Sequence, residues 1–207
     1  MYIGTKIKLS KEITYEDTKK KVLSFYNQFY PAKLDYILIH NFKNSNFALI
    51  KKNLNFLEKV RTEHKYFKIG VSIYDENDFI KLKKIVKISK IEIVQLPINI
   101  FNQTFLQKKF VNFFSKKNIK IQARSIYLQG LLLMTMEEIR KKLKFKSYSL
   151  FKEWDKINNY SLKRKIDNCV QFLKKEKNVH EIIVGFNKLT ELKDFLRAYQ
   201  ANKNILI

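Results

Sequence analysis

Apolar and polar positions in this chain switch between two spacings. Short runs that are apolar at nearly every position alternate with longer stretches whose apolar residues return every three or four positions. "YIGTKIKL" reads as a strand, and "EDTKKKVLSFYNQFY" as a helix burying Val22, Phe25, Tyr26 and Phe29. Strand "LDYILIHN" comes next, then a helix around "NLNFLEKVRTEHK", then strand "FKIGVSIY". Asp75 is placed to cap a helix that faces Phe79, Leu82, Ile85 and Val86 inward. "IEIVQLPIN" is a fourth strand, followed by a helix around "FLQKKFVNFFSKKN" that Asn118 ends. "IKIQARSIYL" is a fifth strand.

From Thr135 to Asn178 the pattern is helical throughout. Thr135 and Glu138 form a capping box; Phe151, Trp154 and Ile157 make one stripe; Ser161 caps another built from Leu162, Ile166, Cys169, Val170 and Leu173. Strand "EIIVGF" and helix "TELKDFLRAYQ", with Leu192, Phe195, Leu196 and Tyr199 facing in, close the chain. The sum is strand–helix, six times over. Strands apolar on both faces, separated by helices, predict an α/β fold with a parallel sheet, either an open doubly wound sheet or a barrel. No linker or low-complexity tract interrupts residues 1–207, which read as a single domain.

The strand ends carry the candidate chemistry. They hold Thr5 and Lys6; His40 and Asn41; Gly70 and Ser72; Gln95 and Asn99; Arg124 and Ser125; Gly185 and Asn187. Parallel strands present their C-terminal ends on one side, where barrels put active sites. Six polar endings favour a barrel, since closure brings all of them to one ligand. The four glycines, Gly4, Gly70, Gly130 and Gly185, lie in or just after strands. There they let backbone approach a ligand or simply allow tight packing. Gly185 leads toward a helix N-terminus, which suits an anion.

Composition changes this picture little. The formal net charge is +23, with 42 lysines and arginines against 19 acids. Only Arg61, Arg124, Arg140, Arg164 and Arg197 are arginine, and the lysines are spread evenly. Arginine is the residue of base readout and bidentate phosphate capture. Compositional drift toward lysine therefore explains the charge better than a nucleic-acid partner does. No apolar run approaches membrane-spanning length, and the first residues lack the apolar core of a signal peptide. Cys169 is the single cysteine, which fits a reducing cytoplasm and excludes an internal disulfide. It falls on an apolar helical stripe and reads as core. His40, His64 and His180 have no metal-ligand spacing with it or with one another, and neither a P-loop nor a GxGxxG occurs.

"IGTK", "ILIHN", "KIGVSIY", "EIVQLPINIF", "ARSIYLQGLLL" and "IIVGFNKLTEL" together resemble successive signatures of the aldo/keto reductases, in order and spacing, over essentially the whole chain. "RSIYLQGLLLM" is most similar to bacterial members that accompany surface-polysaccharide and sialic-acid-like sugar genes.

The resemblance implies an eight-stranded (β/α) barrel that binds NADP(H) across its strand ends and transfers hydride to a carbonyl. The substrate it implies is a small carbonyl compound, a keto or aldehyde sugar, in carbohydrate metabolism. By the same resemblance Lys6 is the family lysine that depresses a tyrosine's pKa, and His40 is the histidine that orients the carbonyl. Ser72 and Gln95 hold the nicotinamide carboxamide. Arg124 stands where many members stack an aromatic ring on the nicotinamide. Ser125, Leu128 and Gly130 lie beside the pyrophosphate. Gly185, Asn187 and Lys188 form the last phosphate-binding turn, with Lys188 placed for a 2′-phosphate.

The family's Asp and Tyr belong to the second barrel strand, whereas this chain resembles the family from the third strand on. Tyr2, Tyr74 and Tyr127 are near strand ends but match neither. Two missing strand–helix units amount to about 60–70 residues, and adding them gives about 270–280, the size of a full barrel. The expectation is an incomplete barrel with two open sheet edges, covered by a missing N-terminal fragment or by self-association. Its catalytic set would be incomplete. A catalytically dead remnant that binds NADPH or a partner, and a lysine-rich nucleic-acid-binding protein, are the alternative readings.

Overall fold

A computed structural model describes residues 3–30, 33–63, 66–143 and 148–201. Tyr2 and His64, both considered above, lie outside the described residues. The chain folds as two compact units. One comprises Met1–Leu96 with Phe114–Ile121, the other Pro97–Phe113 with Gln122–Ile207.

The first unit alternates strands and helices: β1 (Ile3–Ile7), α1 (Tyr15–Phe29), β2 (Leu34–Ile39), α2 (Phe47–Glu63), β3 (Lys68–Ser72), α3 (Glu76–Ile85) and β4 (Ile93–Pro97). The strands are adjacent in chain order and pair in parallel. Ile37, Leu38, Ile39, Ile69, Val71, Val94 and Leu96 are fully buried, so β2, β3 and β4 are covered on both faces, as their unbroken apolar runs require. β1 differs: Gly4 and Lys6 are exposed.

Local chemistry starts the helices. Thr14 caps α1 with a reciprocal bond to Asp17, a box that lies in the sequence as T-x-x-D. Asp75 caps α3, as its position before the apolar stripe predicts. The Asp75 carboxyl also pairs with Lys43 Nζ at 2.9 Å. The Lys43 hydrogen bond, with help from the Asp78 N–H, holds Asp75 below the usual carboxylate range.

α4 (Lys108–Lys116) and β5 (Lys120–Arg124) both run from one unit into the other along the chain. Asn118, between them, adopts φ 53°, the left-handed stop its identity predicts. The second unit holds α5 (Met136–Lys142), α6 (Ser149–Ile157), α7 (Leu162–Lys175), β6 (Glu181–Ile182) and α8 (Leu189–Gln200). The Thr135–Glu138 box starts α5 and Ser161 starts α7. β5 pairs with β6 in parallel, Gln122 opposite Glu181 and Ala123 opposite Ile182.

Two strands are shorter than their apolar runs. Ser125 at φ 56° turns the chain out of β5 before "IYL", and only Glu181–Ile182 of "EIIVGF" is strand, with the Ile183 N–H to Ala123 O bond beyond it. The helical stripes are less deeply covered than their periodicity suggests. Leu162, Leu196 and Tyr199 are exposed, while Ile166, Cys169, Val170, Phe172 and Leu173 are buried.

Candidate functional site

In the first unit the register fixes which groups share a face. Lys6 stands opposite Leu38, Leu38 opposite Gly70, and Ser72 opposite Gln95. In-register residues of parallel strands point to the same side, and alternate residues along a strand do too. Lys6, Leu38, Gly70, Ser72 and Gln95 therefore share one face. His40 lies two residues past Leu38, and its N–H continues the ladder to Ile7 O at 2.8 Å, so the alternation carries it to the same side.

Lys6 Nζ donates to Gln95 Oε1 at 2.6 Å. β1 and β4 are three strand spacings apart, roughly 14 Å along a flat sheet. Upright side chains cannot meet across that distance, so the first unit's sheet is curled toward this face. The contact also orients the Gln95 amide. An ammonium only donates, so the atom that faces Lys6 is the oxygen. Gln95 is buried and Lys6 exposed.

Beside this pair, Ser72 is 1% exposed, and its Oγ has no hydrogen-bond partner among the described residues. A buried hydroxyl left without a partner is costly, which makes it a candidate contact for a ligand. Asn41, another of the strand-end polar groups, has a structural task. Its Oδ1 accepts the Leu9 N–H at 2.7 Å and its Nδ2 donates to Leu9 O at 3.1 Å, so it clasps the chain beyond β1 to the end of β2.

Two glycines on this face serve packing. A Cβ at Gly70 would stand 2.6 Å from Ile93 O and 2.5 Å from Leu38 Cδ2. One at Gly4 would meet the Tyr36 ring at 2.0 Å.

The second unit holds a cleft of about 570 Å3 lined by the loop after β5, the segment after β6 and the start of α8. Ser125, Gly130, Gly185 and Asn187 line it, whereas Arg124, Leu128 and Lys188 do not. Arg124 Nη1 donates to Ser125 Oγ at 3.2 Å. The loop is strained: Ser125, Leu128 and Gln129 take φ 56°, 48° and 56°, and Gly130 takes 89°. Left-handed backbone costs an L-residue about 1–2 kcal/mol, and such strain gathers at ligand sites.

Packing holds this strained loop from outside. The carbonyls of Leu132 and Met134 accept from Trp154 Nε1 and Lys165 Nζ, each at 2.8 Å, and Lys165 is itself buried against Asp155 at 2.5 Å. At Gly185 nothing lies within 4 Å of an added Cβ, so the backbone there is open to an incoming group.

Three carboxylates, Glu138, Glu191 and Asp194, also line the cleft; in the sequence Glu138 stood out only as a helix cap, and Glu191 and Asp194 not at all. The Thr135 N–H and hydroxyl hold Glu138 below the usual carboxylate range, which keeps it charged. Tyr127 lines the cleft as well, and burial pushes its phenol far above the ordinary value. A proton donor to a carbonyl needs the opposite shift. Burial likewise pushes up the Cys169 thiol, which is inert core. No group of three or more His, Cys, Asp or Glu among the described residues could hold a metal ion. No described helix is long and apolar enough to cross a membrane.

Parallel strands alternating with helices, with polar groups at the strand ends, define an α/β protein built in the manner of a (β/α) barrel. The sequence pattern of the aldo/keto reductase family matches residues 1–205, and the chain belongs to that family. Solved structures share the fold at low identity. The aldo-keto reductase AKR11C1 from Bacillus halodurans, in its holo form, superposes with TM-score 0.72 at 14% identity, over 98% of this chain and 67% of its own. MGS-M4, an aldo-keto reductase from a Medee basin deep-sea metagenome library, gives 0.65 at 16%, over 99% and 68%. The thermostable aldo-keto reductase Tm1743, solved with the inhibitor epalrestat, gives 0.66 at 17%, over 99% and 68%. The chain thus spans about two thirds of the length of these neighbours. No curated protein matches it.

The first unit thus offers an unpartnered hydroxyl beside an oriented amide, and the second unit by itself offers a strained loop with an open glycine.

Proposed function

We propose that this chain is an oxidoreductase that binds a nicotinamide dinucleotide and acts on a small carbonyl compound, with residues 1–207 working as one domain. Matching Lys6 and His40 to the family's positions makes β1 the third strand of the family barrel. The observation that carries the reading is the Lys6–Gln95 contact beside the orphaned Ser72 Oγ, on the face His40 also reaches.

When bound, the dinucleotide supplies a hydride. The Ser72 hydroxyl and the Gln95 amide would hold its carboxamide. His40 donates to the substrate carbonyl oxygen and orients it. The Lys6 ammonium adds positive charge where negative charge develops on that oxygen. By the family resemblance, the segment Ser125–Gly130 and the turn at Gly185 and Asn187 would carry its phosphates. The resemblance to members found with surface-sugar genes makes a keto or aldehyde sugar the substrate class, and resemblance alone points to NADPH.

The alternative to reduction is binding without turnover. Calorimetric titration with reduced dinucleotide, beside loss of nicotinamide absorbance with aldehyde and keto sugars, separates the two readings. Binding with turnover supports reduction, and binding alone supports the second. Ser72→Val gives the sharper test. It removes a buried hydroxyl with no partner, so urea unfolding should show a gain in stability while dinucleotide affinity falls about fivefold. Affinity unchanged by Ser72→Val, or no binding at millimolar dinucleotide, contradicts the proposal.

A further inference from the structure

The first unit has a cleft of its own, where the chain turns from α3 toward β4 and from α4 toward β5. It measures about 380 Å3, within the range of roughly 300–1,000 Å3 that holds small ligands. Its wall is of two kinds. Val86, Ile88, Ile91 and Ile119 are apolar, and Lys87, Lys90 and Lys117 bring positive charge; among the described residues no acid lines it. The Lys120 N–H donates to Glu92 O at 2.9 Å and so ties the two turns together. Parallel β2, β3 and β4 begin at this end, so the cleft lies away from the strand ends that carry His40 and Ser72.

The fold explains neither kind of residue. Lysines near helix C-termini offset the macrodipole, but only within the last turn. Lys83 and Lys84 of α3 and Lys116 of α4 fill that place, and Lys87, Lys90 and Lys117 lie beyond it. Lys87 and Lys117 have no acidic partner among the described residues. Lys90 Nζ is 3.8 Å from Glu92 Oε1, on a carboxylate that Arg61 already holds at 2.8 Å. Ser89 is engaged elsewhere, its Oγ donating to Glu58 Oε1 at 3.3 Å. Ile88 is 47% exposed on its turn, whereas Ile91 and Ile119 are buried. Ammonium groups without acids beside an uncovered aliphatic side chain match a molecule with an anionic head and an apolar tail. A nucleic-acid strand offers charge without the tail, and its capture favours arginine and aromatic side chains, which this cleft lacks. We propose that the cleft binds a single-chain acyl carboxylate, its head against Lys87 and Lys117 and its chain along Ile88, Ile91 and Ile119.

This binding stands apart from the reductase reading. Calorimetric titration of the whole chain with decanoate tests it at about 0.15 M salt, which screens the general pull of the +23 charge. One decanoate should bind per chain, and affinity should rise about two- to fourfold with each methylene from hexanoate upward. Octyl glucoside has a tail without the charge, and acetate the charge without a tail. Both should bind at least about tenfold more weakly. Lys87→Gln with Lys117→Gln should weaken decanoate about tenfold, and Ile88→Ser about fivefold; all three side chains are exposed, so the fold tolerates the changes. Lys51→Gln, the same change at an exposed lysine of α2, should leave affinity within about twofold. Octyl glucoside binding as tightly, uptake that never saturates, or an affinity the cleft variants leave unchanged overturns the inference. So does the absence of binding at millimolar decanoate, and each of these results leaves dinucleotide binding standing.

Discussion

Gly70 and Gly4 separate two ways in which a missing Cβ matters. At Gly70 the obstacle includes Ile93 O, a backbone atom tied into the β3–β4 pairing that cannot step aside. At Gly4 it is the Tyr36 ring, the far end of a side chain on the first unit's outermost described strand pair. The Gly4 distance is the shorter, yet Gly70 should matter more. Gly70→Ala should cost about 1–3 kcal/mol by overpacking, and Gly4→Ala clearly less, as urea unfolding of the two variants would measure. Both glycines stand at strand positions where ligand approach and packing look alike in sequence. What tells them apart is the identity of the neighbouring atom across the sheet, which no local pattern encodes. The same limit hid the Lys6–Gln95 bond. Each residue was legible as a strand-end polar group, but a contact across 89 positions depends on how far the sheet curls.

Among the elements, the helix caps and the stop at Asn118 were legible, and the strand ends were not. Thr135–Glu138, Asp75 and Ser161 announce helix starts through residue type and spacing. The end of β5 is set by left-handed backbone at Ser125, a residue type with no special claim to it. α6 and α7 explain how that strained loop is kept. Their polar groups reach the carbonyls of Leu132 and Met134, so buried Trp154 and Lys165 act as props for the cleft wall. Lys165 is 3% exposed and pairs with Asp155. Lys165→Met should therefore cost about 3–5 kcal/mol, because Asp155 is left buried without its partner. Adding Asp155→Asn should recover much of the loss. Denaturant unfolding of the single and double variants checks this, and equal stabilities would mean that the pair contributes nothing.

At the scale of the molecule, the alternation of six apolar runs with helices predicted the α/β class, and the family pattern over residues 1–205 bears that out. The acidic lining of the second unit's cleft was illegible, because Glu191 and Asp194 look like ordinary solvated residues of an amphipathic helix. The central claim is that the strand-end face of the first unit, with Ser72 and Gln95, binds a nicotinamide dinucleotide. Amide-shift mapping of the isotopically labelled chain during titration with reduced dinucleotide tests it most directly. The account predicts shifts at Ser72 and Gln95 that saturate together. Shifts confined to exposed lysine-rich helices, or none at Ser72 and Gln95, would contradict it.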